Sequence, residues 1–146
     1  MEITRILWPT DLSGNAEYAR PYVQSLSEKY HCEVHVLYVI RDIANHEPWY
    51  GEFGEDRIEK ILEWEKEKAE NRLEQICDNY LKGCPLYIKH TTVGDPAREI
   101  LNLAEKENVD LIVMSVKGEN AYFGYGSVAE KVSRNAGVPV LSVPVS

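Results

Sequence analysis

The chain has 146 residues, 44% of them hydrophobic and 27% charged, a size and balance that fit one globular domain and exclude wholesale disorder or a fibrous repeat. Its 24 acidic and 16 basic residues give a net charge of -8, and Lys and Arg are interspersed with Glu, so no nucleic acid and no membrane is expected as a main partner. The longest apolar runs are about six residues, far below the roughly 20 of a membrane span. Cys32, Cys77 and Cys84 form no CxxC pair, and Met1-Glu2-Ile3-Thr4-Arg5 lacks an apolar signal core, so a cytoplasmic, reducing location is expected.

In chain order, Ile3-Thr4-Arg5-Ile6-Leu7-Trp8 reads as a buried strand that runs into a turn at Pro9-Thr10-Asp11. Ser13 is placed to cap a helix over residues 14–30, whose apolar positions Ala16, Ala19, Tyr22, Val23 and Leu26 recur at three and four residues. Residues 34–40, rich in β-branched and aromatic side chains, form the second strand. Residues 41–56 have no periodicity and carry Pro48, Gly51 and Gly54 among Trp49, Tyr50 and Phe53, which predicts one long ordered loop. A helix over residues 57–82 follows, with Ile58, Ile61, Leu62, Ala69, Leu73, Ile76 and Tyr80 on one face and Glu and Lys on the other.

Residues 86–93 form a third strand, after which Asp95 as cap and Pro96 at the first helical position start a helix that ends near Asn108. Residues 110–114 are a continuous apolar strand, Gly126-Ser127 opens a last helix ending at Gly137, and residues 138–143 are the final strand. Strands alternating with helices, two of them apolar enough to be covered on both faces, predict a single α/β domain with a doubly wound parallel sheet. Ligands of such sheets bind beyond the carboxyl ends of the strands where strand order reverses. That points to residues 9–13 and 115–127.

Neither the P-loop pattern nor the G-x-S-x-G elbow of hydrolases is present. Gly124-Tyr125-Gly126-Ser127-Val128-Ala129 satisfies G-x-G-x-x-[GA], but follows the fourth strand with too little chain left for the acidic partner of a dinucleotide site. His31, His35, His46 and His90 show no metal spacing, and His35 and His90 read as packing or edge residues of strands. What remains is a loop with Gly118, Gly124 and Gly126 running into a helix N-terminus, where free N–H groups and the helix dipole favour a phosphate. Ser127 offers a hydroxyl and Lys117 a charge. Each residue also has a reading without a ligand: Ser127 to Glu130 spells a capping box, Gly118 serves a turn, Lys117 is a solvated lysine, and Asp11 caps the next helix.

Ile6-Leu7-Trp8-Pro9-Thr10-Asp11-Leu12-Ser13, Val93-Gly94-Asp95-Pro96 and Gly126-Ser127-Val128-Ala129-Glu130-Lys131-Val132 resemble universal stress proteins over the full length. The resemblance implies five parallel strands in order 3-2-1-4-5, a cytoplasmic homodimer paired through the final strand from Val138 to Val143, and a nucleotide-binding regulatory role in the stress response. One branch of that family binds ATP, with Mg²⁺ as its companion ion, through G-x2-G-x9-G-[ST]. Carried over, the base and ribose side would be Pro9, Thr10, Asp11, Ser13, Val39 and Met114, and the phosphate side Ser115, Lys117, Gly118, Gly126, Ser127 and Val128. Ser115 stands where the first glycine belongs, and only seven residues separate Gly118 from Gly126. The loop is thus two residues short, up to about 7 Å of contour, which turns attention to ADP or AMP and, alternatively, to a dimeric interaction module that has given up nucleotide.

Overall fold

The computed structural model describes residues 2–11, 16–40, 55–80, 86–116 and 125–145, and of residues 55–58, 79–80 and 125–127 it describes the backbone path only. The elements are β1 (Arg5–Pro9), a 3₁₀ turn (Ala16–Ala19), α1 (Arg20–Tyr30), β2 (Glu33–Ile40), α2 (Glu55–Tyr80), β3 (Leu86–Val93), α3 (Pro96–Lys106), β4 (Leu111–Ser115), α4 (Tyr125–Asn135) and β5 (Val140–Val143). The five strands make one all-parallel sheet in the order β3-β2-β1-β4-β5, the architecture expected from the sequence.

Period-two alternation divides the apolar side chains between two faces. Ile6, Trp8, Val34, Val36 and Val113 pack beneath α1 and α2, against Ala19, Val23, Leu73, Ile76 and Cys77. Leu7, Leu37, Ile112 and Met114 pack beneath α3 and α4, against Ala97, Ile100, Val128 and Val132. The central strands are covered on both sides: Ile6, Leu7, Trp8, Ile112, Val113 and Met114 are all 0% exposed. Asp110 fastens the start of β1 to the start of β4, its Oδ2 accepting from Thr4 N at 2.9 Å, Thr4 Oγ1 at 3.0 Å and Arg5 N at 3.0 Å.

Asp95 caps α3 as expected, accepting from Arg98 N at 3.1 Å with Pro96 in the first turn. Several details differ from the sequence reading, among them α2, which runs from Glu55 to Tyr80 and so takes in the last two residues of the expected loop and ends two residues short of residue 82. The first helix is a 3₁₀ turn followed by an α-helix that starts at Arg20, because Pro21 has no N–H to give to the preceding turn and its ring crowds that turn's carbonyl. Ala19 caps this helix without a side-chain bond, and Ser13 lies outside the described residues. Tyr22 is exposed rather than packed, and the place on the buried stripe goes to Ser27, whose Oγ donates to the Gln24 carbonyl at 3.0 Å.

At the other end, α4 begins at Tyr125, one residue before the expected opening at Gly126-Ser127, and stops at Asn135, two before Gly137, which puts Ser127 inside the first turn. β5 begins only at Val140: Pro139 lacks the N–H of a ladder residue and contributes its carbonyl alone, to Ile112 N at 3.0 Å.

Candidate functional site

β1 and β4 are neighbours from which the chain winds outward in opposite directions, through β2 to β3 on one side and to β5 on the other. Parallel strands carry their last residues to one end of the sheet, so the crevice between the carboxyl ends of β1 and β4 is the switch point. Pro9 closes β1 and is buried. Thr10 follows, 5% exposed, with its N–H on the Leu37 carbonyl at 2.8 Å, which fixes the direction in which the chain leaves the sheet. Met114 is 0% exposed near the end of β4, Val39 lies near the end of β2, and Val128 projects from the first turns of α4; the three belong to one apolar cluster on the α3/α4 face.

Ser115, one residue beyond Met114, is 1% exposed, and its hydroxyl donates to the Ala16 carbonyl at 3.2 Å. The side chain therefore ties the end of β4 to the turn that leads into α1. Val116 N continues the pairing to the Val143 carbonyl at 3.0 Å, so the strand direction holds one residue beyond β4. Lys117, Gly118 and Gly124 lie outside the described residues, and Gly126 and Ser127 are described through the backbone of α4 alone.

Asp11 goes elsewhere. It lines a cleft of about 250 Å³ with Tyr38, Trp64, Lys68 and Arg72, on the α2 side of the sheet. Trp64 is 60% exposed, and Lys68 Nζ sits 5.1 Å from its ring centroid. Sequence reasoning missed this grouping, although Trp64, Lys68 and Arg72 stand at i, i+4 and i+8 and so share one helix face. A second missed grouping lies on the α3 face near the opposite ends of β2 and β3. There, Glu33 Oε1 is 2.6 Å from His35 Nε2, and His35 Nδ1 is 2.9 Å from His90 Nε2. Two polar residues alternating at positions 33 and 35 of an otherwise apolar strand were the available signal.

Among the described residues, no group of three or more His, Cys, Asp or Glu side chains is placed to hold a metal ion, and no helix is long and apolar enough to cross a membrane. Cys32 and Cys77 are buried free thiols.

A doubly wound five-stranded sheet whose strand order reverses at β1 and β4 defines an α/β domain of the class in which ligands bind beyond the strand ends. The chain belongs to the universal stress protein family, whose model matches residues 2–144. It is 30% identical over 141 residues to the universal stress protein MJ0531 of Methanocaldococcus jannaschii, covering 95% of this chain and 81% of that protein. It is 33% identical to MJ0577 of the same organism, covering 95% of this chain and 93% of the other. The solved structure of MJ0577 superposes with a TM-score of 0.85 at 29% identity, over 100% of this chain and 99% of that one. The fold is also shared with a universal stress protein from Archaeoglobus fulgidus solved in complex with dAMP, with a TM-score of 0.67 at 20% identity over 98% of this chain and 99% of that one.

Proposed function

We propose that this universal stress protein is a regulatory protein that binds an adenine nucleotide in the crevice at the carboxyl ends of β1 and β4. The observation that carries the reading is the meeting of Val39, Met114 and Val128 in one apolar cluster beside buried Pro9 and Thr10, since planar bases are held by apolar walls with a few polar groups for orientation. The N-terminus of α4 supplies the free N–H groups that suit a phosphate. Family members crystallised with cAMP and with dAMP support an adenine ligand.

ATP with Mg²⁺ is the ligand of the resembling branch, with Lys117, Gly118, Gly126 and Ser127 as its phosphate contacts here. The loop shorter by two residues and the commitment of Ser115 Oγ to Ala16 favour a smaller phosphate load, ADP or AMP. Asp11, which lines the α2 cleft, is assigned to the ribose in this reading. Thermal unfolding with ATP, ADP and AMP, each with and without Mg²⁺, tests this. Ligand at 100 times its Kd adds about 2.7 kcal/mol, or roughly 5–10 °C. Gly126→Val should remove the shift by placing a side chain against the phosphate. No shift with any of the three at millimolar concentration overturns the nucleotide reading and leaves the interaction module.

For assembly we propose a homodimer through the edge strand β5. Pro139 before it and Pro144 after it bound the pairing to about four residues, which suits a short isologous contact. Sedimentation of the chain and of a Ser142→Pro variant, which removes an outward-facing N–H of β5, separates a dimer from a monomer.

A further inference from the structure

Glu33, His35 and His90 are joined head to tail on the α3 face of the sheet, away from the proposed nucleotide crevice. His35 is 0% exposed. The two imidazoles are inclined by only 19° with centroids 5.1 Å apart, and their facing nitrogens are 2.9 Å apart. That leaves about one ring radius on each side, so the hydrogen bond runs along the line of centres, edge to edge.

The direction of this chain is set at Glu33. An ionised carboxylate only accepts, so Glu33 takes the His35 Nε2–H. Neutral His35 is then bare at Nδ1 and accepts the Nε2–H of His90. The ring nitrogen left over is His90 Nδ1, and His90 lines a cleft of about 390 Å³ with Leu37, Thr92, Glu99, Asn102 and Lys106.

We propose that Glu33–His35–His90 is a directional proton relay that takes up one proton from this cleft without breaking either hydrogen bond, and that makes the β3 edge of the sheet acid-sensitive when a second arrives. In the first step the incoming proton bonds to His90 Nδ1. The His90 Nε2–H bond breaks, and its proton forms a new N–H bond at His35 Nδ1. The positive charge then rests on the His35 ring beside Glu33, and the bond between the rings reverses, with His35 donating to His90. A second proton puts hydrogens on both facing nitrogens, which breaks the link between β2 and β3.

The surrounding charges set when this occurs. Arg5 Nε of β1 lies 3.9 Å from Glu33 and holds its carboxylate in place. Arg5 is held in turn, donating to the Glu107 carbonyl at 3.0 Å. From α3, Lys106 and Glu107 act on His90 with opposite sign, while Glu99 borders the cleft and lies 3.4 Å from Thr92. Lys89 of β3 is turned away, to Glu74 of α2 at 3.9 Å. Burial, then the charge of His35, lowers the His90 pKa below its ordinary 6.5, with Lys106 adding to this and Glu107 opposing it. The unfolded chain therefore binds this proton more readily, so the stability linked to His90 is complete above the ordinary value and is lost as pH falls.

Long-range ¹H–¹⁵N spectra of the imidazoles during an acid titration test the relay on the intact chain. Above pH 7 both rings should carry hydrogen on Nε2 alone. In the first titration step His35 should become protonated at both nitrogens while His90 changes to the Nδ1–H form. A first step in which His90 becomes doubly protonated while His35 keeps its single Nε2–H overturns the proposal, as does global unfolding before either ring titrates. Glu33→Gln, which no longer fixes the direction, should lower the midpoint of the first step. An unchanged midpoint also overturns it.

Discussion

The Ser115 hydroxyl donates to the Ala16 carbonyl across a separation of 99 residues, at 3.2 Å and with Ser115 only 1% exposed. Where the resembling branch of the family has a glycine, this chain has a clasp between β4 and the turn that feeds α1. Ser115→Ala should cost about 1 kcal/mol, the net worth of one hydrogen bond. Ser115→Gly should cost about 1–2 kcal/mol because the chain also gains freedom when unfolded. Urea unfolding midpoints, at unchanged slope, give both values. Equal stability of all three proteins would show that the clasp contributes nothing.

Asp110 predicts how the fold responds to acid. The Thr4 backbone N–H first, then the Arg5 N–H and the Thr4 hydroxyl, hold its carboxyl below the ordinary value of 3.8 against the opposing effect of burial. Its contribution is therefore complete above that value and disappears as pH falls through the lowered one. Asp110→Ala should destabilise by on the order of 1–2 kcal/mol at pH 7, at the low end for charged hydrogen bonds because the carboxylate stays partly in water. The difference from the parent chain should shrink as pH falls below 3.8 and through the lowered pKa, and a constant difference throughout an acid titration would contradict it.

His31 closes α1 in the left-handed region, with φ 53° and ψ 41°. A β-carbon is disfavoured there, and glycine is not. His31→Gly should raise stability by roughly 0.5–1 kcal/mol, read as a rise of about 2–4 °C in Tm. A fall in Tm would mean that the exposed imidazole makes a compensating contact.

Gly94 joins β3 to α3, with its N–H on the Ile40 carbonyl at 2.9 Å and φ at 158°. A β-carbon here would come within 2.7 Å of Glu99 Oε1. The Glu99 side chain can swing aside, so the backbone dominates the cost of Gly94→Ala, about 1–2 kcal/mol. Calorimetry of Gly94→Ala and of Gly94→Ala with Glu99→Ala separates the two contributions, since only the carboxylate clash is relieved in the pair.

The fold was legible because buried strands and capped helices write their rules locally. The run from Ile6 to Trp8 and the Asp95-Pro96 start each name an element of the doubly wound sheet. What escaped was settled by single prolines or by distant partners. Pro21 converts the expected helix start into a 3₁₀ turn, and Pro139 delays β5 to Val140. The apolar wall of Val39, Met114 and Val128 follows from strand parity once the fold is known. The placement of Asp11 in a cleft with Trp64 and the pairing of His35 with His90, 55 residues apart, depend on how α2 and β3 settle against the sheet, which no local pattern encodes.

Strand order also governs the route by which the chain becomes a protein. β1 sits at the centre of the finished sheet, but its second neighbour, β4, is paired through Ile6 with Leu111 and Leu7 with Ile112, and the carboxylate that fastens them is 106 residues from Thr4. During synthesis β1, β2 and β3 can assemble first, leaving a strand that is buried in the finished sheet as a raw edge until the last quarter of the chain leaves the ribosome. A strand with Ile6, Leu7 and Trp8 bare along one side is an invitation to pair with the wrong chain. The nascent protein should therefore depend on chaperones through that interval, more than the stability of the finished sheet would suggest.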